Sequence, residues 1–367
     1  MKIVRIALFV VPLTSRTTYT MSDGKVCDRV ESVILRLDTD SGLTGWGEVC
    51  PIPHYLPAYA RGVRPAIEEL APVILSTDPL GPEAVMDRCD ALLPGHVYAK
   101  SALDIALWDL TGKAAGLPLY RLLGGRQMES APLYHSITCV APQAMAAIAR
   151  EAFDAGIRQF QAKVGADDDW ERDVARIRAV REAVGPSPLV YADWNCGATP
   201  LTAIRVAQAV RDLDVMLEQP CADLEACARV RRTVGMAMKI DESGHDLDSL
   251  LRAQALGCMD VVAVKLSKFG GLSAARRARD LCLQLKVSMC IEDTWGSDIT
   301  TAAALHFAVA TPPRALLNAC DLSGYVTPRV APDGPVRRDG RLAPAERPGL
   351  GVTPDPDVLG EPIAVFS

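Results

Sequence analysis

A series of short apolar runs in the second half of the chain ends on charged residues, and their order matters. It reads Gln161-Ala162-Lys163, Tyr191-Ala192-Asp193, Leu217-Glu218, Ile240-Asp241, Val264-Lys265 and Ile291-Glu292-Asp293. If these runs are neighbouring parallel strands about 4.8 Å apart, Asp193, Glu218 and Asp241 converge on one point. Lys163 and Lys265 then approach that point from opposite sides. Three carboxylates so close repel one another, and a hard divalent cation removes that cost. An oxygen-only ligand set with open positions suits Mg²⁺. Any one of these carboxylates read alone is as well explained by a helix cap or a surface ion pair. The trio in register is not, because charges at the mouth of a barrel need a partner. Lysine usually lies along the surface with its head in water, whereas both of these follow apolar strand residues and face the cation. Repulsion and partial burial are expected to lower their pKa values towards neutrality, making an amine available as general base. The chemistry that unites these parts is removal of a proton beside a carboxylate, with the metal holding both oxygens of the ene-diolate.

The elements that must position these residues follow from periodicity. Apolar runs at 132–137, 158–164, 189–193, 215–218, 238–241, 261–266, 287–292 and 315–318 alternate with Ala-, Arg- and Glu-rich helical stretches such as 169–183 and 272–285. Eight strands alternating with helices predict parallel βαβ units closed into a (β/α)₈-type barrel, a modified TIM barrel. The competing open, doubly wound sheet lacks its usual G-x-G-x-x-G after the first strand. The first 60 residues read as an antiparallel meander: a run at 3–13, a polar loop with Thr17, Thr18 and Tyr19, then 31–39 leading into Asp40-Ser41-Gly42. From Arg64 to Leu123 the period is helical, with Ala102, Ile105, Ala106 and Leu110 on one face. Residues 1–125 are therefore expected to form an α+β capping domain, joined by the Pro- and Gly-rich segment 322–367, with 126–321 as the catalytic barrel.

Composition narrows the partners. The 367 residues carry 39 Lys+Arg against 45 Asp+Glu, a net charge of −6, with no basic block interleaved with aromatics. Nucleic acid and anionic membrane surfaces are poor partners for such a chain, so a small ligand is expected, which the site chemistry above makes a carboxylate or amino acid. No window approaches the ~18 apolar residues needed to span a bilayer. The apolar start is interrupted by Arg5 and reads as a first strand rather than a leader. Eleven cysteines form no C-x-x-C pair, which predicts reduced packing residues and a cytoplasmic setting.

Two further motifs join the Lys163, Asp193, Glu218, Asp241, Lys265 order. They are Ala102-Leu103-Asp104-Ile105-Ala106-Leu107-Trp108-Asp109-Leu110 with Gly112-Lys113, and Leu122-Leu123-Gly124-Gly125. Together they resemble the enolase superfamily, in its muconate-lactonizing and mandelate-racemase-like branch, over essentially the whole chain. The resemblance implies a capping domain over the barrel mouth that sets specificity. It also implies Mg²⁺ on Asp193, Glu218 and Asp241, and Lys163 and Lys265 acting on opposite faces of the substrate. A homo-oligomer is the expected assembly. One departure stands out: many relatives carry Lys-x-Lys at the end of strand two, and here Gln161 takes the first position.

Within the branch, Gln161-Ala162-Lys163-Val164-Gly165, Tyr134-His135-Ser136-Ile137 and Ile291-Glu292-Asp293-Thr294-Trp295-Gly296-Ser297-Asp298 look most like cis-3-hydroxy-L-proline dehydratases. Proline-betaine and hydroxyproline-betaine 2-epimerases come next. Both handle a cyclic amino acid with a cationic ring nitrogen. Asp293 is thus expected to meet the ammonium and Trp295 to lie over it, with Thr294 and Gln161 in the same site. In the capping loops Tyr19, Thr20, His54, Tyr55 and Tyr59 are candidates for the distal end of the substrate, Tyr55 first among them. In a cis-3-hydroxyproline the C2 proton lies opposite the leaving hydroxyl. One lysine can remove the proton while the other, as its ammonium, protonates the hydroxyl, and the enamine tautomerises to Δ1-pyrroline-2-carboxylate. An epimerase of proline or its betaines uses the same two lysines to take a proton from one side and return one on the other. The residues leave open which of these operates and which lysine takes the L-substrate proton. A third reading, a metal–carboxylate binding protein without turnover, has no use for two lysines flanking the metal.

Overall fold

The computed structural model describes residues 1–367. Its N-terminal part is an antiparallel sheet of strands Ile3–Thr20, Val26–Thr39 and Thr44–Val49. Two short strands near the C-terminus, Val326–Thr327 and Ala364–Phe366, both return to pair with the first strand. The polar loop expected around Thr17, Thr18 and Tyr19 is instead part of that first strand. Its β-branched threonines suit extended backbone, and the polarity is absorbed by a bulge. The register steps from Thr14 opposite Arg29 to Tyr19 opposite Cys27, so residues 15–18 face Asp28 alone. The bulge turns Tyr19 inward, where it is buried.

Three helices, Val63–Ile74, Pro82–Leu92 and Val97–Ala115, cover one face of this sheet. The third lies flush against strand Thr44–Val49 because Gly45 and Gly47 present no side chain to it. A Cβ on Gly47 would sit 1.8 Å from the Ala102 carbonyl oxygen, and one on Gly45 2.4 Å from that of Ala106. Strand alternation then sends Trp46 and Glu48 the other way, towards the barrel.

The barrel sheet is built of eight parallel strands in sequence order: His135–Ile137, Gln159–Lys163, Leu189–Asp193, Val215–Glu218, Met238–Ile240, Val261–Lys265, Ser288–Glu292 and Leu316–Ala319. A bridge between Leu133 and Ala319 joins its first and last edges. All eight apolar runs are strands, and helices such as Trp170–Val184 and Leu272–Leu285 lie between them. Four of these helices start on a polar residue that accepts a backbone N–H from the first turn: Asp169, Thr199, Asp223 and Asp246. Those side chains cap helices at the same barrel face as the strand ends, which separates them from the inward-pointing acids.

The C-terminal tail is stitched to both parts. Asp109 accepts the backbone N–H of Trp46 at 2.9 Å and that of Leu350 at 2.8 Å. His306, fully buried, lies 3.2 Å through Nδ1 from the N–H of Tyr120 and 3.0 Å through Nε2 from the Leu350 carbonyl. Those partners require the neutral ring protonated on Nε2, and burial pushes its pKa down to about 4. The unfolded chain takes up that proton near pH 6.5 and the folded chain does not, so stability is lost as pH falls from 6.5 towards 4. A His306→Gln variant should be less stable than the wild type at pH 7. Urea unfolding should show that gap narrowing by roughly 2 kcal/mol at pH 5; a gap that stays constant would remove His306 from the account.

Candidate active site

Side-chain alternation on the barrel strands decides what faces the axis. Gln161 and Lys163, Tyr191 and Asp193, and Lys239 and Asp241 are pairs two residues apart on one strand face, with the C-terminal member nearer the barrel mouth. In register, Lys163 lies beside Asp193, Asp193 beside Glu218, Glu218 beside Lys239, and Lys265 beside Glu292. Acids and lysines thus form a mixed ring, and all of them are buried.

The expected carboxylates are neighbours, but as the side chains lie no three acidic groups close on a single point. Each faces an ammonium instead. Asp193 pairs with Lys163 and accepts the backbone N–H and the side-chain amide of Asn195 at 2.8 and 3.1 Å. Asp241 lies 2.6 Å from Lys265 and 3.0 Å from Lys268. Glu218 accepts the Gln161 amide at 2.8 Å, and its other oxygen is 2.8 Å from the Lys239 ammonium without hydrogen-bond alignment. This direct pairing of acids with lysines acts against the lowering expected of lysines that face a cation. Burial pushes Lys163 and Lys265 down, but Asp193 beside the first and Asp241 beside the second outweigh it and hold both amines above their ordinary range. Two of the acids are strained the opposite way, while, against burial, the facing lysines hold Asp241 and Glu292 below their ordinary range. Burial, then Asp193, raises Glu218 to about 8, and burial with Asp241 and Asp193 raises Glu242 to about 7.

Above this ring lies a small cavity between the capping part and the barrel. Lys163 and Lys265 line it, as do Tyr55, Gln161, Asp293, Thr294 and Trp295. Tyr55 donates to Asp241 at 2.8 Å and receives the Lys265 ammonium at 2.5 Å, so a capping residue touches both a candidate ligand and a candidate base. Trp295 packs against Tyr19 and Tyr325 with ring centroids 5.2 and 6.0 Å apart, and its buried Nε1 has no partner. Tyr19 also lies 5.9 Å below the Lys163 ammonium. Thr20, His54 and Tyr59 do not line the cavity, and Tyr59 is 60% exposed.

Two residues assigned to the substrate are engaged elsewhere. Gln161 links Ser136 to Glu218. Asp293 accepts the Ser267 hydroxyl, the Ser267 N–H at 3.0 Å and the Thr294 N–H at 2.7 Å, which hold both its oxygens as a loop cap. Burial raises its pKa to about 6 against those donors.

Several members of the ring are not singled out by the sequence reading. Lys239, fully buried, bridges Glu218 and Glu292 at 2.8 and 2.9 Å and lies over the rings of Tyr134 and Tyr191. Its signal is present in the sequence: it stands two residues before Asp241, on the same strand face. Lys268 comes three residues after Lys265, on the short helix Leu266–Phe269. Asn195 and Glu242, 3.2 Å apart, lie just beyond their strand ends.

Two family descriptions match the chain: the mandelate racemase/muconate lactonizing enzyme N-terminal domain over residues 5–124 and the enolase C-terminal domain-like family over 144–358. The chain is 43% identical over 369 residues to the cis-3-hydroxy-L-proline dehydratase of Roseibium aggregatum, covering all of both. It is 30% identical to the N-succinyl-L-Arg/Lys racemase of Bacillus cereus, covering 100% of this chain and 99% of that one. A solved member of the enolase superfamily from Roseovarius nubinhibens, complexed with magnesium, superposes with a TM-score of 0.93 at 38% identity, covering 100% of this chain and 99% of that one. With this ring of acids and lysines on a parallel barrel under an antiparallel cap, the chain belongs to the mandelate racemase/muconate lactonizing enzyme family of the enolase superfamily.

Proposed function

We propose that this chain is an Mg²⁺-dependent lyase that converts cis-3-hydroxy-L-proline to Δ1-pyrroline-2-carboxylate and water. The observation that carries the reading is the opposition of Lys163 and Lys265. They end barrel strands two and six, half a turn apart in an eight-strand ring, and both reach the same cavity. The full-length similarity to a dehydratase of that substrate supports it.

The donor chemistry fits the metal. Asp193, Glu218 and Asp241 offer only oxygen, and three buried oxygens around them, Glu218 Oε1, Glu242 Oε2 and Asn195 Oδ1, have no hydrogen-bond partner. Asp193, Glu218 and Asp241 would hold the ion, and bound there it supplies positive charge to the substrate carboxylate as C2 loses its proton. With Asp193 and Asp241 so committed, burial becomes the main influence on the two lysines, and burial favours the neutral amine. One lysine then takes the C2 proton as general base. The other, still an ammonium, gives a proton to the departing hydroxyl on the opposite ring face. Tyr55 orients Lys265 for either part. Trp295, Tyr19 and Tyr325 offer the cationic ring nitrogen an aromatic wall and keep water from the carbanion. The free thiols, ten of eleven buried, suit the cytoplasm. A 2-epimerase of proline-like substrates is the second reading, favoured by the full-length similarity to a racemase.

Incubation with cis-3-hydroxy-L-proline and with L-proline in D₂O, monitored by NMR, separates these. The dehydratase should give the cyclic imine. Deuterium at C2 of proline without elimination from the hydroxylated compound would establish the epimerase instead, and neither change would leave binding alone.

Lys163→Ala and Lys265→Ala should each slow elimination by about 10²–10⁴-fold or more. Calorimetry should find Mg²⁺ and ligand binding largely retained in both. Full turnover by Lys265→Ala would end the two-lysine scheme.

Asp241→Asn should act first on the metal, weakening Mg²⁺ affinity on the order of tenfold or more in the same titration. Unchanged affinity would take Asp241 out of the ligand set.

A further inference from the structure

Glu48 is a fully buried carboxylate that belongs to the capping sheet but makes most of its bonds to the barrel. Gly45 and Gly47 press the other face of its strand onto helix Val97–Ala115, so the backbone carrying Glu48 has little freedom to shift. Its Oε1 accepts the Ser32 hydroxyl at 2.5 Å and the Ser297 N–H at 2.8 Å. Its Oε2 accepts the Ser297 hydroxyl and the Thr300 N–H, both at 2.8 Å.

Ser297 and Thr300 begin helix Asp298–Val309, which comes after barrel strand seven. Ser297 sits at the N-cap of that helix, yet its own hydroxyl caps nothing in it. Glu48 reaches across from the other part of the molecule and does what a local cap would do, satisfying two orphan N–H groups at the positive end of the helix. The segment immediately before Ser297 is Asp293-Thr294-Trp295-Gly296, of which the first three residues line the cavity. Gly296 leaves no slack: a Cβ there would sit 2.7 Å from that of Thr300. The loop is therefore pinned at one end by Asp293 on Ser267 and at the other by Glu48 on Ser297.

We propose that Glu48 is a positioning residue for substrate recognition: it caps the helix after strand seven from the capping sheet and thereby sets the Thr294–Trp295 wall against the substrate. The inference rests on reading this cavity as the substrate site. It differs from a purely structural role because the carboxylate holds one loop and touches neither lysine nor any candidate metal ligand.

The test uses the full-length enzyme with Glu48→Gln, the milder Ser297→Ala, which removes one of the four bonds, and Asp104→Asn as a control. Asp104 makes a similar buried latch to Ser273, at 2.9 Å to its N–H and 2.5 Å to its hydroxyl, and bonds no residue of 293–301. Glu48→Gln should raise KM for cis-3-hydroxy-L-proline about tenfold with kcat within about threefold, and Ser297→Ala should shift KM the same way but less. Hydrogen–deuterium exchange should rise in residues 293–301 of both, while Mg²⁺ affinity stays at the wild-type value. Asp104→Asn should lower thermal stability and leave KM unchanged. The proposal is overturned if Glu48→Gln changes stability alone, as the control does, or if exchange in 293–301 is unaltered. Exchange and Mg²⁺ affinity need no turnover, so they judge Glu48 even if the wild type fails to dehydrate the substrate.

Discussion

Charge balance at the closed end of the cavity is the constraint on which the rest of the molecule depends. Lys163, Lys239, Lys265 and Lys268 stand among Asp193, Glu218, Asp241, Glu242 and Glu292, nearly all out of water. Buried charges are tolerated only when compensated, and four ammoniums against five carboxylates leave an excess of one negative charge. A divalent cation together with a zwitterionic amino acid would contribute two positive charges against that excess. One lysine present as the free amine would then restore neutrality. Leaving aside Asp293, whose oxygens Ser267 and Thr294 hold, this composition matches a state in which one lysine is a base and the other still carries its proton, which is the division of labour that elimination across two ring faces demands.

The departure at strand two fits the same accounting. Gln161 takes a position where many relatives place a second lysine. Its amide donates to Glu218 and its carbonyl receives the Ser136 hydroxyl, which in turn meets the hydroxyl of Tyr19. A neutral donor keeps Glu218 oriented without adding a fifth ammonium. Lys239, from the strand on the other side of Glu218, already supplies the cation. The chain of bonds from Tyr19 to Glu218 also means that the capping strand and the acid ring share one hydrogen-bonded unit. The bulge at residues 15–18 aims Tyr19 and so helps set the ring itself.

How much of the site is legible in the sequence depends on how each signal is encoded. Lys163, Asp193, Glu218, Asp241 and Lys265 are visible because each is a charged residue closing an apolar run, and strand periodicity alone puts such residues at one end of a barrel. Lys239 and Glu292 obey the same alternation, but they are not the last polar residues of their runs and do not stand out. Asp293 reads as a substrate contact because a carboxylate on a loop beside a cavity looks the same whether it faces the ligand or its own backbone. Only Ser267, on the short helix after the preceding strand, marks the capping role. Tyr325 belongs to a Pro- and Gly-rich tail with no periodicity, and its place in the wall depends on how that tail returns to the first strand. The acid–lysine pairing that opposes the expected lowering is hidden for a related reason: the order of residues implies the cation but not which carboxylates face the amines directly.

The wall and the ring are built from different kinds of sequence, and this separates shape from chemistry. The proton-transfer groups sit on barrel strands, whose backbone is locked on both sides by ladder hydrogen bonds. Tyr19, Trp295 and Tyr325 come from a bulged capping strand, a βα loop and the tail, three segments far apart in the chain that meet only at the cavity. A substitution of Trp295 or Tyr325 reshapes the space around the ring nitrogen without touching Lys163 or Lys265, whereas Tyr19 is also tied to the ring through Ser136 and Gln161. The reverse does not hold, because replacing Lys163 takes from buried Asp193 its facing ammonium, and replacing Lys265 leaves Asp241 with only Lys268 and Tyr55. That asymmetry separates what binds the substrate from what moves its protons, in a family with members named for dehydration and for racemisation. The substrate bound by the wall, and whether it carries a leaving group at C3, decides whether the carbanion at C2 expels that group or takes a proton back.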